Sequence, residues 1–67
     1  MSIVKVIEVI AESKISWEAA AQAAVDEASK SVDNITSIYI KEFKADVDDN
    51  KVVKYLVNAK ISFNVEE

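Results

Sequence analysis

The chain has 67 residues, twelve acidic against eight basic side chains for a net charge of -4, and neither cysteine nor histidine. A single domain of this size hides only about 60% of its unfolded surface, and with no disulfide or zinc site to support it, good packing or oligomerisation is the expected source of stability. With 51% hydrophobic and 30% charged residues it is too apolar for disorder and too evenly charged for a membrane span, and an acidic balance without one arginine argues against nucleic acid, whose phosphates reward clustered Lys and Arg.

The first element runs from Ser2 to Ala11, where Ile3, Val4, Val6, Ile7, Val9 and Ile10 are interrupted only by Lys5 and Glu8. So many β-branched residues predict a strand with both faces partly covered. Because this pattern starts at Ile3 with no charged region and cleavage site, a secretory leader is not expected. A cytoplasmic location follows as the expectation, and the absence of cysteine is compatible with it.

Ser16 is a good N-cap, and Glu18 falls near the positive end of the helix that follows. Trp17, Ala20, Ala21, Ala24, Val25, Ala28 and Val32 recur at three and four residues, with Glu18, Gln22, Asp26, Ser29, Lys30 and Asp33 on the other face. The spacing predicts an amphipathic helix from about Trp17 to Asp33 or Asn34, with Trp17 packed in the core and Asn34 taking the left-handed conformation that ends helices.

A second strand is predicted from Ile35 to Val47, with Ile35, Tyr39, Phe43, Ala45 and Val47 on its apolar side and Ser37 and Lys41 breaking the pattern. Asp48, Asp49 and Asn50 have the chemistry of a tight turn, since Asp and Asn tolerate positive φ. From Lys51 to Val65 every odd position from Val53 onward is apolar, which predicts a half-buried third strand. Tyr55 lies on its apolar side, so a core or interface role is expected for both tyrosines. A helix of about 17 residues spans roughly 25 Å, whereas strands of about 13 to 15 residues reach about 45 Å. One helix cannot cover that hairpin, and another subunit is the simplest cover.

The run Lys5-Val6-Ile7-Glu8-Val9, then Ser13, Ser16-Trp17-Glu18 with Ala20, Ala28-Ser29, Val32-Asp33-Asn34-Ile35 and the closing Ile61-Ser62-Phe63 resembles bacterial and archaeal dodecins across essentially the whole chain. The resemblance implies an α+β domain over residues 1–67, ordered β-α-β-β, with a three-stranded antiparallel sheet packed on one amphipathic helix. It also implies a hollow homododecamer that binds flavin (FMN, FAD or riboflavin) at subunit interfaces. Flavin-binding dodecins carry a stacking tryptophan at the position of Ser37 and a glutamine, bonded to the ring edge, at the position of Leu56, beside Tyr55. Serine has no π surface and leucine no amide, so both hallmark contacts are replaced and flavin binding is expected to be weak.

Asp46, Asp48 and Asp49 could supply oxygen ligands to calcium or magnesium, although the spaced residues and glycine of an EF-hand loop are absent. One carboxylate repeated about a symmetry axis, such as Glu8 or Asp26, is a second route to an ion site. Dodecin relatives lacking the flavin residues have been associated with calcium, which makes a metal-binding member the alternative to a flavin store. A purely structural shell is a third reading. Without His, Cys, Arg or a glycine-rich phosphate loop, no enzyme is expected. The expected partners are further copies of the chain and a small molecule, with neither nucleic acid nor membrane.

Overall fold

A computed structural model describes residues 3–65. Strand β1 (Ile3–Ser13), helix α1 (Trp17–Ala28), strand β2 (Ile35–Asp48) and strand β3 (Lys51–Val65) follow in that order. The three strands form one antiparallel sheet in the order β1-β3-β2, with the cleanly alternating β3 at its centre. The predicted β-α-β-β arrangement is therefore present, and the helix lies across one face of the sheet.

The helix start follows its sequence signal. Ser16 is extended (φ -168°), and its Oγ accepts a hydrogen bond of 2.9 Å from the Ala19 N–H, satisfying one of the free amides of the first turn. Ala20, Ala24 and Ala28 are buried against the sheet, where Val57, Ala59 and Ile61 of β3 are fully enclosed. Ile7, Val9, Ile35 and Ile38 pack around the cluster of Ala24, Ala28 and Ile61. Alanine on the helix and alternating apolar residues on β3 thus explain the close approach of the two layers.

The helix ends earlier than its apolar spacing predicts, at Ala28 and not near Asn34. Ser29 Oγ donates to the Asp26 carbonyl at 2.7 Å, and the amides of Lys30 and Ser31 bond back only three residues. Hydroxyl side chains that compete for backbone partners, together with this tightened last turn, account for the stop. Val32 stays against the core because its N–H still reaches the Ala28 carbonyl at 3.0 Å. Asn34 has the expected left-handed φ of 63°, placed at the entry to β2.

The face of β2 is where sequence periodicity misleads. A register irregularity between Ile35 and Ser37 shifts the alternation by one, so Ile38 and Ile40, opposite Ile61 and Ala59, turn toward the helix. Tyr39, expected on the apolar side, lies opposite Lys60 on the other face and is 65% exposed. A second irregularity between Ile40 and Glu42 restores the odd phase, and Phe43 stands opposite Val57. β1 differs from expectation as well: Ile7 and Val9 are half-buried, but Val4, Val6 and Ile10 face away from the helix and are exposed.

Asp49 (φ 52°) and Asn50 (φ 63°) form a two-residue turn with both central residues left-handed, which matches the twist of the strands it joins. The twelve-residue helix rises only about 18 Å, while the described molecule is 52 Å long. Beyond the helix, Val47, Val52 and Val53 remain exposed on the hairpin arm. The expected mismatch is larger than the sequence implied, because the helix is shorter.

Trp17 caps the near end of that arm. Its ring meets Tyr55 edge-on at 4.9 Å and Phe43 at 5.9 Å, and its indole N–H donates to the Lys44 carbonyl at 2.9 Å. It is a packing residue, as predicted, yet 37% of it is exposed within one chain. Trp17→Ala is therefore expected to cost about 2 to 3 kcal/mol, somewhat below the range for a fully enclosed tryptophan. The urea midpoint at fixed protein concentration checks it. A loss below about 0.5 kcal/mol would contradict a packing role.

Candidate functional site

The face of the sheet turned away from the helix is built from the even positions of β3 and their neighbours on both sides. Leu56 lies between Glu12 and Lys44, Asn58 between Ile10 and Glu42, Lys60 between Glu8 and Tyr39, and Ser62 between Val6 and Ser37. Salt bridges tie this face together: Lys41 to Glu8 at 3.3 Å, Lys54 to Glu12 at 3.5 Å, and Lys44 to Asp46 at 3.6 Å. All three pairs are partly solvated, so each adds little stability. Between them lies a pocket of about 200 Å³ lined by Ile10, Glu42, Lys44, Leu56, Val57 and Asn58. Among the described residues, the Oδ1 of Asn58 is the one enclosed side-chain polar atom without a hydrogen-bond partner, and it is shut off from solvent.

A second and larger groove of about 390 Å³ opens between the β1 edge and the helix, among Ile7, Val9, Ala11, Ala24 and Ala28, with Glu27 at its rim. The small alanines that let the helix approach β3 leave this gap toward β1. At the far end of the helix, the Glu27 carboxylate bonds Lys30 Nζ at 2.9 Å and holds that exposed ammonium above its ordinary pKa. Lys30 takes no part in either cavity.

Ser37 and Leu56 share the helix-free face, but their positions along the sheet differ. Ser37 is opposite Ser62, six residues from Leu56 on β3, a separation of about 20 Å at strand spacing. Within one chain they cannot touch the same ring. Tyr55 is on the other face, under Trp17. Each of the three flavin-position residues is thus placed by the sheet, and only a second chain could bring the two on the same face to one ligand.

The acidic residues are equally dispersed. Among the described residues no group of three Asp or Glu side chains comes close enough to hold a metal ion. Glu8 and Asp46 are each engaged by a lysine, while Asp48 ends β2 opposite Lys51 and Asp49 sits in the turn. Asp26 accepts from Gln22 Nε2 at 2.9 Å on the exposed helix face. The residues of one chain therefore do not fit a calcium site. Asn58 and Ile10, which line the pocket, were not singled out by the sequence, because an amide at position 58 stands among the other polar even residues of β3, Lys54, Lys60, Ser62 and Asn64.

A sheet covered by a helix on one face, with a pocketed second face and an uncovered apolar arm, defines a small β-α-β-β domain. The dodecin family model matches residues 3–66. The chain belongs to the dodecin family. It is 38% identical to calcium dodecin of Mycobacterium tuberculosis over 97% of this chain and 92% of that protein. A crystal structure of that calcium-chelating protein superposes with a TM-score of 0.82 at 36% identity, covering 96% of this chain and 91% of the other. A variant of the Thermus thermophilus dodecin superposes with a TM-score of 0.94 at 28% identity over the full length of both chains. No helix among the described residues is long and apolar enough to cross a membrane.

Proposed function

We propose that this protein is a small-ligand binding and storage protein that works as a homododecamer, catalyses nothing, and has lost the contacts that give flavin its high affinity. The observation that carries the reading is the uncovered apolar arm and sheet face in a chain of the dodecin family. Large exposed apolar surface in so small a chain is stabilised by burial against further copies. Flavin (FMN, FAD or riboflavin) is the family ligand, and Ser37 and Leu56 offer it neither a stacking ring nor an amide.

A second reading, binding of calcium or magnesium, is favoured by the 38% identity to a calcium dodecin. Because one chain assembles no carboxylate cluster, such an ion would be held by residues repeated across copies, with Glu8, Asp26, Asp46, Asp48 and Asp49 as the available oxygen donors. Equilibrium dialysis of the natively purified protein against riboflavin and, separately, against radiolabelled calcium tests both readings. Weak riboflavin retention with stoichiometric calcium selects the metal-binding member. Tight riboflavin binding would overturn the loss of the flavin contacts, and retention of neither would leave the structural shell.

A further inference from the structure

No further inference is drawn: the strongest candidate, the apolar groove of about 390 Å³ between the β1 edge and helix α1, lined by Ile7, Val9, Ala24 and Ala28, is an unpartnered apolar surface, and nothing in the structure shows what covers it.

Discussion

Introducing Ser37→Trp and Leu56→Gln together is expected to raise riboflavin affinity by roughly one to three powers of ten. A stacked aromatic adds about 0.5 to 1.5 kcal/mol beyond its buried area, and a restored hydrogen bond to a buried ring edge adds about 1 to 3 kcal/mol. Each 1.4 kcal/mol is tenfold. The two positions share the helix-free face but stand six residues apart along β3, too far for one flavin within one chain. The gain should therefore appear only in assembled protein, and riboflavin fluorescence quenching measured with assembly intact checks it. No gain in the assembled double variant would mean that the interface no longer forms a flavin-sized pocket.

The second large effect is on the core. Ile61 is fully enclosed at the centre of β3, between Ile7 and Ile38 and beneath the alanine face of the helix. Ile61→Ala is expected to cost about 2 to 5 kcal/mol, the transfer term plus the cavity left behind. In so small a domain that is a large share of the total, since whole proteins are stable by only about 5 to 15 kcal/mol. A clear drop in the urea midpoint at fixed concentration is the expected result. A change within about 0.5 kcal/mol, the level of a surface substitution, would contradict the placement of Ile61 in the core.

The fold was largely legible because its main signals are local and redundant. Ser16 caps the helix as its chemistry requires, the alternation from Val57 to Ile61 marks the buried face of the central strand, and Asp49 and Asn50 form the turn their tolerance of positive φ permits. What the sequence did not disclose depends on backbone irregularity. The shift between Ile35 and Ser37 exchanges the faces of Tyr39 and Ile38, and no composition rule announces where a strand takes up an extra residue. The early helix stop at Ala28 was hidden likewise, because Val32 keeps its helical phase through a tightened turn.

The candidate site was legible only in part. Ser37 and Leu56 could be placed by resemblance, yet their separation on the sheet and the turning of Tyr55 toward Trp17 needed the strand register. Asn58 could not be found by pattern because its position is simply a polar even residue; only the structure shows that its carbonyl oxygen is enclosed. The acidic residues show the reverse. Their density in the sequence suggested an ion site, and the sheet distributes them among lysines and a solvated turn.

We propose that this chain completes itself only by joining other copies, because its twelve-residue helix leaves the far arm of the sheet uncovered. Native mass spectrometry of dilute protein, confirmed by light scattering, tests it most directly. One species of about twelve chains is the expected result, the closed symmetric form implied for this family. A folded monomer that persists at micromolar concentration would contradict it.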